Sequence, residues 1–173
     1  GGGTLQYTAN NTNDYSSRFS NAAGQSYNVD TNGQNVTWAT ALTSAGATLT
    51  KQGAGTLTLS GANTYNGGSN IYAGSVLVNS SGALGSSGTL SFGGGTLQYS
   101  ASNTTDYSPR ISTASGQAYK VDTNGQNVTW ATALTSSGAT LSKAGTGTLT
   151  LSGANTYSGG ATVSAGTLKM GVA

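Results

Sequence analysis

Short runs of alternating apolar and polar residues recur along the chain. They include Gly3-Thr4-Leu5-Gln6-Tyr7, Ala47-Thr48-Leu49-Thr50, Gly55-Thr56-Leu57-Thr58-Leu59, Gly74-Ser75-Val76-Leu77-Val78 and Gly88-Thr89-Leu90-Ser91-Phe92. Gly147-Thr148-Leu149-Thr150-Leu151 and Gly166-Thr167-Leu168-Lys169-Met170 follow the same plan. Alternation with period two predicts strands, with Leu57 and Leu59 on one face and Thr56 and Thr58 on the other. Ser26–Thr31 and Asn35–Thr43 are two further strand candidates, joined by Asn32-Gly33. That dipeptide signals a tight turn, either of a hairpin or at the corner of a solenoid. No stretch shows apolar residues at helical spacing.

The pattern is also repeated as a block. Residues 1–81 return as 93–173, shifted by 92 positions, with 56 of the 81 overlaid positions identical. Copied units of this kind stack on one another. Within a unit, Gly55 to Gly74 spans 19 residues, as does Gly147 to Gly166. That length suits one turn of a β-solenoid, so a unit would hold about four or five turns. The expectation is an all-β parallel β-helix made of two tandem copies of a 92-residue multi-coil unit. Residues 1–92 form the first copy and 93–173 the second, incomplete one, in one continuous rod about 40–50 Å long. Leu57 and Leu149, Trp38 and Trp130, and Asp14 and Asp106 should then occupy equivalent places, related by a shift along one axis. Because the chain starts at a repeat boundary and stops inside the second copy, it is expected to be a segment of something longer.

Composition changes this picture in one respect: the core must be thin. Val, Ile, Leu and Phe make up about 15% of the chain, below the roughly 20% at which disorder becomes a concern. Only 6% of residues are charged and the net charge is +2, whereas disordered chains combine low hydrophobicity with high net charge. Thr favours a pleated surface, and Gly and Asn tolerate the positive φ of tight corners. Arg18, Lys51, Arg110, Lys120, Lys143 and Lys169 are scattered, which argues against a nucleic-acid surface. No run of 18 apolar residues exists, so membrane insertion by a helix of this segment is not expected.

One string is distinctive. Leu49-Thr50-Lys51-Gln52-Gly53-Ala54-Gly55-Thr56-Leu57-Thr58-Leu59-Ser60-Gly61-Ala62-Asn63-Thr64-Tyr65-Asn66-Gly67-Gly68 resembles the autotransporter-associated β-strand repeat of bacterial passenger regions and giant surface proteins. Its second copy, Leu141 to Gly160, continues to Ala165-Gly166-Thr167-Leu168. The motif positions are Lys51, Gly55, Thr56, Leu57, Leu59, Gly61, Asn63 and Tyr65, and again Lys143, Gly147, Thr148, Leu149, Leu151, Gly153, Asn155 and Tyr157. The resemblance implies a right-handed parallel β-helix, exported and displayed on a bacterial cell surface. It implies a scaffold, with no catalytic residues to carry over.

Candidate chemistry is sparse. His, Cys and Glu are absent, which removes the usual general bases, zinc sets and nucleophile pairs. Asp14, Asp30, Asp106 and Asp122 are the only acids. A carboxylate pair could cleave polysaccharide, but Asp14 and Asp106 read better as partners in a local ion pair or an Asx-type turn. Asp30-Thr31-Asn32-Gly33 looks like half a calcium loop without its later ligands, and a turn is the simpler reading. Trp38 shares a face with Val36, which favours core over a sugar platform. Tyr65 and Tyr157 follow Asn63 and Asn155 at corners, where a stacked Asn ladder is expected. Thr48/Thr50, Thr56/Thr58 and Thr148/Thr150 could bind ice if they formed a grid, but their spacing breaks it.

These observations lead to a structural segment serving as a stalk, adhesin or filament building block at an extracellular surface. No metal, cofactor or catalytic residue is expected. An ice-binding solenoid and a polysaccharide-degrading β-helix are the alternatives. The expected partners are further copies of the repeat, in the same chain or end to end, and then a cell-surface or matrix polysaccharide.

Overall fold

A computed structural model describes residues 2–171. Its strands are β1 (Thr4–Gln6), β2 (Ser26–Asp30), β3 (Val36–Trp38), β4 (Thr48–Gln52), β5 (Thr56–Leu59), β6 (Ser69–Ile71), β7 (Ser75–Val78), β8 (Leu90–Phe92), β9 (Thr96–Gln98), β10 (Ala118–Asp122), β11 (Val128–Trp130), β12 (Thr140–Ala144), β13 (Thr148–Leu151), β14 (Ala161–Val163) and β15 (Thr167–Met170). Two single-turn 3₁₀ segments, Ser16–Arg18 and Ser108–Arg110, interrupt them. The strands pair in parallel, each with a strand roughly one coil away in sequence. The chain is a β-solenoid of about 8 stacked coils. At about 4.8 Å per coil the rod is about 40 Å long.

Three faces run along the rod. The first stacks β1, β2, β4, β6 and β8. The second stacks β3, β5, β7, β9, β10, β12 and β14 without a break. The third is built from loops in the first unit and from β11, β13 and β15 in the second. The corner Asn32-Gly33 has φ of 47° and 83°, and Asn124-Gly125 repeats it at 48° and 84°. Because β2 and β3 lie in different sheets, this left-handed pair is a solenoid corner and not a hairpin.

Alternation becomes register. Leu5, Val29, Lys51, Ile71 and Phe92 stack as one inward column on the first face. Val36, Leu57, Val76, Leu97, Val121, Lys143 and Val163 stack on the second. Each interior rung is covered above and below by its neighbours, so one or two inward residues per strand, such as Leu57 and Leu59 of β5, are enough to exclude water. A fully buried Leu or Val contributes about 1.5–3 kcal/mol. Hydrogen-bond ladders between coils satisfy the backbone and supply much of the cohesion.

Two expectations need correction. The 19-residue coil holds for Thr56 to Ser75 and Thr148 to Thr167, but others are longer, up to the 24 residues from Thr4 to Asn28 and from Thr96 to Lys120. The longer coils must fit wide corners and a 3₁₀ turn. The two copies are also not related by a shift alone. Four coils above Thr4, on the same face, lies Ser91. Thr96, the counterpart of Thr4, follows past the next corner and stacks on Ser75 of the second face. A unit is thus four coils plus one face, and the second copy is turned by one face about the rod axis. Environments are still repeated: Leu57 and Leu149 are fully buried, and so are Trp38 and Trp130.

Candidate functional site

The most unusual side chains point inward. Lys51 alternates with Leu49 in β4, so its stem enters the core column, and it is fully buried. Its ammonium donates to Gln52 O at 2.9 Å, Gly53 O at 2.8 Å and, one coil above, Ala73 O at 3.2 Å. Lys143 repeats this with Ala144 O at 2.8 Å, Gly145 O at 2.8 Å and Ala165 O at 3.2 Å. Three donors meet three carbonyls, which is the full capacity of an ammonium. Burial pushes the Lys51 ammonium down to about 8, against the pull of Asp30. Burial lowers Lys143 as well, against Asp122.

The glycines of the Lys-x-Gly-x-Gly string shape this carbonyl cup. Gly53 and Gly55 have φ of 69° and 87°, and their counterparts Gly145 and Gly147 have 71° and 92°. A Cβ on Gly55 would lie 2.2 Å from Gln34 O of the coil below. Thr56 N–H then donates to Asn35 Oδ1 at 2.9 Å, and Thr148 N–H to Asn127 Oδ1 at 3.0 Å. Leu57, Leu59, Leu149 and Leu151 fill the core beyond the corner. Gly61 and Gly153 lie against the coil below, at Thr40 and Ala133.

Asn63 is a rivet through three coils. Its Oδ1 accepts from Leu42 N–H at 2.7 Å below, and its Nδ2 donates to Ala83 O at 2.7 Å above. No Asn-on-Asn ladder forms at this position: the residues above and below offer backbone. Asn155 keeps the lower bond, from Leu134 N–H at 2.8 Å, and turns its Nδ2 to Gly153 O of its own coil. Tyr65 is fully buried with its hydroxyl 2.7 Å from Ser69 Oγ, whereas Tyr157 is only partly covered. Burial raises the Tyr65 phenol far above its usual range.

The motif positions from Lys51 to Tyr65 and from Lys143 to Tyr157 fall in two segments, 49–78 and 141–170, which match the family model of the passenger-associated-transport-repeat. The chain carries this repeat twice. No curated protein and no solved structure matches the chain.

The passenger-associated-transport-repeat accounts for the lysine corner, the Asn rivet and the buried Tyr. The remaining candidates lie outside it. Trp38 donates from its indole to the Tyr7 hydroxyl at 2.8 Å, and Trp130 does the same to Tyr99 at 2.8 Å. Both indoles are core residues, as their face predicted. Asp14 Oδ1 accepts from Ser16 N–H at 2.7 Å and Oδ2 from Ala39 N–H at 2.8 Å. Asp106 repeats both bonds, from Ser108 and Ala131. Burial raises the Asp14 carboxyl, and the hydrogen bonds from Ser16 and Ala39 outweigh it and hold the group below its usual range. Asp14 is therefore an Asx-type turn residue that also ties two coils, while Arg18 lies over the Tyr15 ring at 5.4 Å. Asp30 likewise caps its own corner, accepting from Asn32 N–H at 2.8 Å and from Gln6 Nε2 at 2.7 Å.

Among the described residues no three His, Cys, Asp or Glu side chains come together in a metal-sized group. Among the same residues no helix is long and apolar enough to cross a membrane. The outward Thr rows are short: Thr37 and Thr58 are followed up the rod by Leu77, Gln98 and Asp122.

Sequence reasoning missed Arg110. It sits in the 3₁₀ turn where the second unit meets the first, beside an open groove lined by Gly88, Pro109 and Ile111. Its guanidinium donates to Leu84 O at 2.8 Å, Gly85 O at 3.1 Å, Ser87 O at 2.6 Å and Gly88 O at 2.9 Å. The loop below curls its carbonyls around the fork. Nothing in the local sequence marks this, because the acceptors are main-chain atoms 22 to 26 residues away.

Proposed function

We propose that this chain is a length-setting stalk segment of an exported bacterial surface β-solenoid, a scaffold rather than an enzyme. The observation that carries the reading is the unbroken seven-stranded sheet, in which β7 of the first unit, β9 and β10 pair in sequence across the junction. One unit is thus a template for the next, and adding units adds length. The passenger-associated-transport-repeat supports export to the cell surface. The two Asp weighed as a catalytic pair, Asp14 and Asp106, and the motif residues Asn63 and Lys51 are engaged in tying coils, each bridging to a neighbouring coil. Further copies of the unit are the proposed partners.

Small-angle scattering on chains with increasing numbers of the 92-residue unit tests the reading. Each unit should add about 20 Å to the long dimension at constant cross-section. Compact particles whose length does not grow with unit number would sink it. An enzymatic role would require a polysaccharide-cleaving activity lost in Asp14→Asn and Asp106→Asn together. Retained length and no such loss are expected.

A further inference from the structure

The same arginine occurs at two levels of the rod, with and without a described coil beneath it. Arg110 grips the carbonyls of Leu84, Gly85, Ser87 and Gly88. Its neighbours reach down too: Ser100 Oγ donates to Val78 O at 2.8 Å, and Asn103 Nδ2 to Ser80 O at 2.5 Å. The counterparts in the first coil are Arg18, Thr8 and Asn11. All three are exposed. Arg18 rests over the Tyr15 ring, as Arg110 does over Tyr107, so it already occupies the corresponding position on its own coil.

We infer that the lower face of the first coil is half of a specific joint, with Arg18 as its peg, and that its partner is the loop equivalent to residues 83–88 in another copy of this unit. The chain itself shows the assembled joint once, internally, between its two copies. A guanidinium fork donating to four main-chain oxygens demands a planar, correctly spaced acceptor set. A generic apolar coil end would not supply it. The socket of the first unit is filled by Arg110, and the counterparts of its residues in the second unit would fall past Ala173. This inference rests on the stalk reading and adds which end meets which, and through what.

A chain in which the sequence of residues 80–92 follows Gly171, in place of Val172 and Ala173, regains a free socket. Sedimentation velocity across a concentration series should show this extended chain forming head-to-tail oligomers while the 173-residue chain does not. Arg18→Ala in the extended chain should weaken association by about tenfold or more. Arg18→Lys keeps the charge without the fork and should weaken it as well. Because Arg18 is exposed in the free chain, unchanged thermal melts will show that these variants remain folded. The joint is overturned by an extended chain that stays monomeric, by equal association of the 173-residue chain, or by either Arg18 variant associating like its parent. If covalent tandem chains lengthen as expected while Arg18→Ala has no effect, the stalk reading stands and the joint alone fails.

Discussion

Residues 2–25 and 93–117 are nearly the same coil in two settings. The second rests on the coil formed by residues 69–92, and the first has no described coil beneath it. Leu97 is completely buried between Val76 and Val121, but Leu5 is only partly covered. Asn103 and Tyr107 are buried, while Asn11 is exposed and Tyr15 intermediate. The upper end tells the same story: Ile71 is 1% exposed and its counterpart Val163 46%, Val78 is 0% and Met170 53%. Burial in this molecule is a property of neighbours more than of local sequence. That is the behaviour of a one-dimensional array, where stability is a sum over coil-to-coil interfaces.

The sharpest way to break the comparison is in the core. Leu97→Ala should cost about 3–4 kcal/mol in urea unfolding, and Leu5→Ala less than half of that. Equal losses would mean that stacking does not set the burial energy. Next, Arg110→Ala should cost about 2–3 kcal/mol, because four carbonyls lose a charged donor. Arg18→Ala in the same chain should stay within about 0.5 kcal/mol.

A pH series sharpens the comparison between interior and surface. Lys51 releases its proton in the folded chain near pH 8, while the unfolded chain holds it to about 10.4. In between, the unfolded state binds more protons, so stability should climb from pH 8 to 10, by about 2 kcal/mol at most. Above pH 10 the sign reverses, because burial keeps Tyr65 and Tyr99 protonated when the unfolded phenols ionise. Lys51→Met should reduce the rise to the share that Lys143 contributes and leave the later fall. The smallest effect separates Asn103→Ala, about 1–2 kcal/mol, from Asn11→Ala, about 0.5 kcal/mol or less, through the loss of the bond to Ser80 O. Hydrogen exchange at the neighbouring coil would resolve it.

The strands, their inward faces and the stacked parallel architecture were legible because period-two alternation translates directly into register. Leu57, Leu59 and Trp38 are where their alternation places them. Alternation also placed Lys51 on the Leu49 face, yet a lysine invites the assumption of exposure. The signal was there, and the glycines that supply its carbonyls follow it in the string. The turn of one face was hidden because coil length varies between 19 and 24 residues. Only the hydrogen-bonded register shows that 92 residues overshoot four coils. The Arg110 socket could not be read at all, since main-chain oxygens leave no mark on a sequence.

The overshoot has a geometric outcome for any longer array of such units. With three faces and one face gained per unit, only every third unit returns to the same orientation, about 60 Å along the rod. A feature carried once per unit, such as the exposed Asn32-Gly33 corner that recurs as Asn124-Gly125, would not line up as a stripe. It would wind around the rod as a single spiral staircase of three steps per turn, presenting itself to each of the three faces in turn.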